Sequence, residues 1–406
     1  MYEDLIPVLL GGDLNCYGLA RAFREAYGVS TVAFGRQLLG AVRHSRYVSF
    51  HAVPALSDSA VCRGVLLDFA KQTADKTRIL LPCTDEYTRF LIENKDTLAP
   101  YYALPIPDRR ALPLFEKTEF YRLCERFGVP YPETVAFSAM PAMREIAAAG
   151  ERLGYPHIIK PSASDVYWHY PFAGMEKVYL AHNKHEAACI LSLIFGAGYP
   201  LPMLCQRYIG GGDSVSHTLT LYFDKNGQLA LRACAQVLLE EHTPRGKGNY
   251  AAMITAPVPP VANALARMLS AVGYCGFANF DLRRGGDTDY VLELNLRPGR
   301  SSYFLAAAGA NPAALVYRDH VSGEKLPPVP ANRPALFRTV PFSVVWQYTP
   351  READARMARD LYRRGLAVSP LHDPHDLRGN PLRAFYVAAH MRREKQKFRR
   401  YAIRFR

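Results

Sequence analysis

The chain has 406 residues, 49% hydrophobic and 21% charged, which excludes disorder, collagen and coiled coil and leaves room for two to four domains. No apolar run approaches the ~18–20 residues of a membrane span. The eight cysteines are never closer than 16 residues apart, which excludes CxxC motifs and, with an acidic rather than basic start (Met1 to Asp4), points to a cytoplasmic protein with reduced thiols. The net charge of +13 is concentrated. Residues 378–406 hold ten Lys/Arg against one acid, so the other 377 residues carry only +4, a balanced body with a basic tail and not a uniformly basic nucleic-acid binder.

Taken in order, the first segment alternates strand and helix. Leu5–Leu10 reads as a strand, Gly11-Gly12 as its end, and Asp13-Leu14-Asn15 as the cap of a helix that closes at Gly28. Val29–Phe34 and Arg78–Leu81 are further strands, and a helix starts at Asp85; this alternation predicts an open parallel sheet over residues 1–110. From Lys117, the stripe Phe120, Leu123, Cys124, Phe127 is helical and ends at Gly128. Thr134–Phe137 and Pro156–Lys160 are expected strands with a helix of about 142–153 between them. Strands then dominate: Met203–Ile209, Ser216–Phe223 and Gln228–Leu238, the last two joined through Asn226-Gly227, a strong hairpin signal. A helix near Val261–Val272 leads to strands Gly276–Arg283 and Tyr290–Asn295. Pro327, Pro328 and Pro330 mark an expected linker before a C-terminal appendage.

The most informative stretch is Phe277-Ala278-Asn279-Phe280-Asp281-Leu282 with Val291-Leu292-Glu293-Leu294-Asn295. Side chains alternate along a strand, so Asn279 and Asp281 share one face and Glu293 and Asn295 another. If Asp281 faces Glu293, Asn279 faces Asn295, and one side of the hairpin carries two carboxylates and two amides. Like charges placed opposite each other destabilise a sheet, so the arrangement suits a cation, and all-oxygen ligands suit Mg²⁺ with phosphate. A plain solvent-facing polar side is the alternative. Leu296 to Ser302 follows with Arg297 and Arg300, whose forks match phosphate and carboxylate.

With these residues the chain resembles the ATP-grasp ligase superfamily, whose metal site is similar to Glu293-Leu294-Asn295-x-Arg297-x-Gly299 with an acid, Asp281, twelve residues upstream. Within it the chain looks like the D-aspartate ligase group, through residues 7–18, Lys160 to Ser164, Phe172 to Gly174, Gly248 to Tyr250, Gly276 to Asp281, and Asn295 to Phe304. The stretch 162–177 holds one glycine where the superfamily often has a glycine-rich loop. Gln206 stands at a usual hinge acid, and Asn279 where D-alanine ligases carry arginine.

The resemblance implies an α/β (α+β) ATP-grasp fold: a Rossmann-like pre-ATP-grasp domain over 1–110, an ATP-grasp domain over 111–325 with lobes of about 111–205 and 206–325, and a linker with a basic helical appendage over 326–406. It implies ATP held by Lys117, Lys160, Ser162, Lys177, the hinge Gln206, Arg207, Tyr208 and Ile209, and Asp213 at the ribose. It implies Mg²⁺, as two ions, on Asp281, Glu293 and Asn295. Arg297, Arg300 and Ser301 are its catalytic candidates. Gly11, Gly12, Asp13, Asn15, Asn249 and Ser302 are its substrate-binding candidates, the glycine turn either holding an α-carboxylate or serving as a plain tight turn. The implied reaction is amide formation through an acyl phosphate, joining D-aspartate by its β-carboxylate to the lysine amine of a UDP-linked peptidoglycan precursor. Loops 162–177 and 241–249 would exclude water. Another amino acid or a small peptide as substrate is an alternative, as is a catalytically silent nucleotide or precursor binder. The sequence discloses neither the base that takes the amine's proton nor the oligomeric state.

In the tail, Phe398, Tyr401, Ala402 and Phe405 share a helical face among arginines and lysines. Such a helix can lie on an anionic membrane surface, through residues 390–406, bind RNA or an acidic precursor, or pack its stripe on the body.

Overall fold

The computed structural model describes residues 2–244 and 246–402. Three sheets organise it. The first is parallel, in the order β3-β2-β1-β4, with β1 at Leu5–Leu10, β2 at Thr31–Gly35, β3 at Val48–Ala52 and β4 at Thr77–Pro82. Helices cover this sheet, so β1 is buried along nearly its whole length. The helix Leu14–Tyr27 starts where the Asp13 carboxylate accepts from Cys16 N at 3.1 Å. It stops at Gly28, whose φ of 72° is the left-handed conformation glycine tolerates.

The second sheet is antiparallel, in the order β5-β8-β6-β7, with β5 at Thr134–Phe137, β6 at His157–Pro161, β7 at Tyr179–Ala181 and β8 at Met203–Arg207. Helices Met143–Leu153 and Lys184–Gly196 bury Ile146, Leu153, Leu191 and Ile194 against Ile159 and Met203.

The third sheet has eight strands: β9 at Ser216–Phe223, β10 at Leu229–Glu240, β11 at Tyr250–Ala256, β12 at Gly276–Gly285, β13 at Thr288–Asn295, β14 at Val329–Ala331, β15 at Leu336–Arg338 and β16 at Ala367–Val368. Their order is β13-β12-β9-β10-β11-β15-β16, with β14 also on β10. The β9–β10 turn is fixed by Asp224, whose Oδ1 accepts from Asn226 N at 2.9 Å and Gln228 N at 2.8 Å. The architecture is mixed α/β, as expected.

Two expectations need correction. The proline-rich stretch is not a free linker: Leu231–Ala233 of β10 pair in parallel with Val329–Ala331, and β15 and β16 extend the same sheet. The expected tail stripe is also shifted. The helix Pro381–Tyr401 buries Arg383, Val387, Met391, Glu394 and Phe398, while Tyr401 is exposed and Arg404, Phe405 and Arg406 lie outside the described residues. Arg383 is 0% exposed. It donates to Ala41 O and Arg43 O at 2.8 and 2.9 Å, stands over the Tyr17 ring, and lies 3.1 Å from Asp376 Oδ2. Asp376 in turn accepts from Tyr17 OH and Arg46 N, both at 2.8 Å. The C-terminal helix is thus keyed into the first sheet's layer. Among the described residues no helix is long and apolar enough to cross a membrane.

Candidate active site

The β12–β13 hairpin builds the floor of the site. Its register sets Asp281 opposite Glu293 and Asn279 opposite Asn295, with an irregularity just beyond Asp281. Ala278, Phe280 and Leu282, on the other face, are at most 1% exposed and belong to the core. The carboxylate face opens into a cavity of about 560 Å³, which Lys177, Asn249, Asn295, Arg297, Arg300 and Ser301 also line.

Several cations surround the carboxylate pair. Lys117 Nζ lies 2.9 Å from Glu293 Oε1 and 3.3 Å from Ser164 Oγ. Burial works against the Glu293 charge, but Lys117, Lys177 and Lys160 outweigh it and hold the carboxyl well below its usual range. Asp281 goes the other way: burial and the facing Glu293 push it up, against a 2.7 Å hydrogen bond from Tyr250 OH. Two carboxylates pushed apart in this way mark a place where a cation relieves repulsion.

Lys160 is 8% exposed. It donates to Tyr121 OH at 2.9 Å and Leu292 O at 3.3 Å, and burial, with Lys117 nearby, pushes its ammonium down to about 7. Tyr121 was missed in the sequence, although it stands four residues after Lys117 on one helix face. Its hydroxyl also accepts from Gln206 Nε2 at 3.0 Å, and its ring stacks on Tyr131.

The hinge candidates sit apart from the cavity lining. Gln206 spends its amide on Tyr121 and on Thr134 Oγ1 at 2.8 Å. Arg207 pairs with Glu133, Tyr208 is exposed, and Ile209 O accepts from Arg283. Asp213 accepts from Glu240 N and His242 Nε2, each at 2.9 Å. Ser162 is buried, its carbonyl accepting from Lys117 N at 3.0 Å.

Of the two readings of the glycine turn, Gly11 fits the tight turn. Gly11 N donates to Phe34 O at 2.8 Å, and a side chain there would meet Cys83 Cβ at 2.8 Å, so Gly11 serves close packing. Gly12 likewise lies against the Phe50 ring. Asn15 donates to Cys83 O and Pro298 O and accepts from Ser302 Oγ, all within 3.1 Å. These bonds stitch the first sheet to the segment after β13. The same junction holds Arg297, whose fork takes both oxygens of Asp85 at 2.7 and 3.0 Å. The sequence marks Asp85 only as a helix start and Tyr250 only within the stretch Gly248 to Tyr250; their partners lie 212 and 31 residues away.

The donor set fits Mg²⁺. Asp281, Glu293 and the Asn295 side-chain carbonyl offer only oxygens, too few to fill an octahedron, and so leave positions for water and phosphate, as Mg²⁺ prefers.

No family model matches the chain. Over 372 residues it is 30% identical to D-aspartate ligase of Enterococcus faecium (strain Aus0004), which covers 89% of this chain and 88% of that one. It is 25% identical over 222 residues to D-alanine–D-alanine ligase of Verminephrobacter eiseniae (strain EF01-2), over 50% of this chain and 61% of that one. In structure it resembles Staphylococcus aureus N5-carboxyaminoimidazole synthetase complexed with ADP, with a TM-score of 0.59 at 16% identity over 82% of each chain. The biotin carboxylase domain of Hydrogenobacter thermophilus 2-oxoglutarate carboxylase, in complex with MgADP, gives 0.58 at 16% identity over 79% of this chain and 70% of that one. At such identities these two establish the fold alone. Fold and sequence relatives together define an ATP-dependent carboxylate–amine ligase. The chain belongs to the D-aspartate ligase family.

Proposed function

We propose that the enzyme joins D-aspartate, through its β-carboxylate, to the lysine side-chain amine of a UDP-linked peptidoglycan precursor. The observation that carries this reading is the facing Asp281–Glu293 pair beside three lysines, in a chain 30% identical to a D-aspartate ligase over 89% of its length. Bound Mg²⁺, as two ions on Asp281, Glu293 and Asn295, supplies charge neutralisation for phosphoryl transfer. Lys117, Lys160 and Lys177, with Ser162, face the ATP phosphates. Gln206 to Ile209 and Asp213 serve the adenosine end, Asp213 after exchanging His242 for the ribose.

The donor carboxylate takes the γ-phosphoryl group of ATP. The acyl phosphate forms next to Arg300 and Ser301, which line the cavity, while Arg297, tied to Asp85, supplies charge and holds the two layers in register. Asp13, Asn249 and the glycine turn shape the donor end. The amine then attacks the acyl carbon, the C–N bond forms, and phosphate leaves. Loops 162–177 and 241–249 exclude water, which otherwise consumes the acyl phosphate. A cytoplasmic location, with salt-sensitive contact to anionic lipid through the exposed Arg392, Arg393, Arg399 and Arg400, belongs to this reading; loss of vesicle sedimentation on replacing them tests it.

The decisive experiment measures phosphate release from Mg-ATP with a panel of D- and L-amino acids, with and without a lysine-containing muropeptide. Release confined to D-aspartate, and coupled to amide formation with the muropeptide, is expected. Release that depends on a different amino acid overturns the donor assignment.

A further inference from the structure

A second compartment, of about 180 Å³, adjoins the main cavity, and Leu14, Asn249, Tyr250, Arg300 and Thr339 line both. Tyr250 marks the junction, since its hydroxyl holds Asp281 at 2.7 Å while the residue also borders the smaller space. Its apolar lining comes from Leu14, Leu39, Ala41 and Leu371. Its charged wall has the carboxylates of Asp13, Glu241 and Glu394, with Arg300 and His390 among them. His390 and Glu394 come from the helix Pro381–Tyr401, which the buried Arg383 fixes in place.

The charges of this wall are linked. Arg300 lies 3.8 Å from Glu241, Lys397 Nζ reaches Glu241 at 3.4 Å and Glu394 at 2.9 Å, and His390 Nε2 lies 4.0 Å from Glu394. The C-terminal helix is therefore joined to the loop after β10 and, through it, to the catalytic arginine. The wall's three carboxylates outnumber the two cations, Arg300 and Lys397, that pair with them, and with the apolar side chains they suit an ammonium group on an aliphatic stem.

We infer that this compartment receives the acceptor amine, its methylene chain along Leu39 and Leu371, and that His390 is the group that takes the first of its protons. This rests on the ligase reading above. The ammonium nitrogen must lose two protons in all. One passes to the His390 imidazole and leaves a neutral amine with a lone pair for attack. As the C–N bond forms and the C–O bond to phosphate breaks, the second leaves with the phosphate. His390 then returns its proton to solvent.

The environment keeps the imidazole ready. Burial lowers its pKa, as do Arg393 and Lys397 on its own helix and Arg300 across the compartment; Glu394 opposes them, and Glu241 and Asp13 are the other charged groups lining the space. These influences favour the neutral ring, which is able to accept a proton.

The test uses full-length enzyme with Mg-ATP and D-aspartate and compares two nucleophiles. Hydroxylamine is small and already neutral at pH 7, so it traps the acyl phosphate as a hydroxamate without needing the compartment or a base. The lysine-containing muropeptide needs both. His390→Gln is expected to lower kcat for the muropeptide at least about a hundredfold relative to hydroxamate formation in the same preparation. Leu39→Trp, at an exposed rim position, is expected to raise KM for the muropeptide several-fold on the same internal scale. Taking the ratio within one preparation cancels any loss of folded protein. Wild-type ratios in both variants overturn the inference and leave the ligase reading standing. If the wild-type enzyme forms no hydroxamate with any donor, the reading and the inference fall together.

Discussion

The Tyr250 hydroxyl donates to Asp281 Oδ1 over 2.7 Å, and in doing so it spans the sheet from β11 to β12, which β9 and β10 separate. The sheet curls enough to bring its third-neighbour strands within one side chain of each other, and the bond orients a carboxylate of the proposed magnesium site. Tyr250→Phe removes the donor and leaves the ring. Turnover is expected to fall about tenfold or more, with weaker Mg²⁺ dependence, as for other partners that orient metal ligands. Steady-state rates over a Mg²⁺ titration check this; wild-type behaviour would show that Asp281 needs no such support.

Glu293→Gln keeps the shape of the side chain but removes its charge. It is expected to cost at least about a hundredfold in turnover. It also strands the buried Lys117 ammonium, at a cost of roughly 2–4 kcal/mol in stability. Circular dichroism is expected to be unchanged. In calorimetry, the rise in Tm that Mg-ATP gives the wild type is expected to be absent.

The His242–Asp213 pair predicts a pH effect. Burial alone would lower the imidazole, but the hydrogen bond and charge of Asp213, with Glu240, raise it above its ordinary value of about 6.5. A group bound more tightly to its proton in the folded state stabilises below the unfolded pKa and loses that effect as pH rises through the folded one. Wild type is therefore expected to be more stable than His242→Gln at pH 6, and the gap to narrow by pH 8.5. Equal melting curves at pH 6 would rule this out.

Arg383→Met leaves Asp376 buried at 0% exposure without its cation. The expected loss is about 3–5 kcal/mol, measured by urea unfolding. The double replacement with Asp376→Asn is expected to recover part of it, because the uncompensated charge is gone.

Arg297→Lys exchanges a two-pronged contact with Asp85 for a single point charge. A double-mutant cycle with Asp85→Asn is expected to give a coupling of about 1–2 kcal/mol, discounted for the partial exposure of Asp85. A coupling near zero would mean the two layers are aligned by other contacts.

What the sequence made legible was local. The Asp281–Glu293 register follows from alternation along two strands joined by a short turn, so neighbouring residues carry the information. The caps at Asp13 and Gly28 were readable for the same reason. What stayed hidden depends on partners far along the chain. Arg383 reads as one more cation in a basic tail, and only Tyr17, Ala41 and Arg43 make it a core residue. Val329–Ala331 is a three-residue strand with a proline inside, too short to show a period, and it exists because β10 offers it an edge. Asn15 looks like a ligand for an anion until Cys83 and Pro298 are placed around it.

Arg383 reaches Ala41 and Arg43 across sequence separations of 342 and 340 residues. Closing so long a loop carries an entropic cost that only the assembled first layer offsets, so the helix that bears His390 takes its place by tertiary docking and not by local propensity.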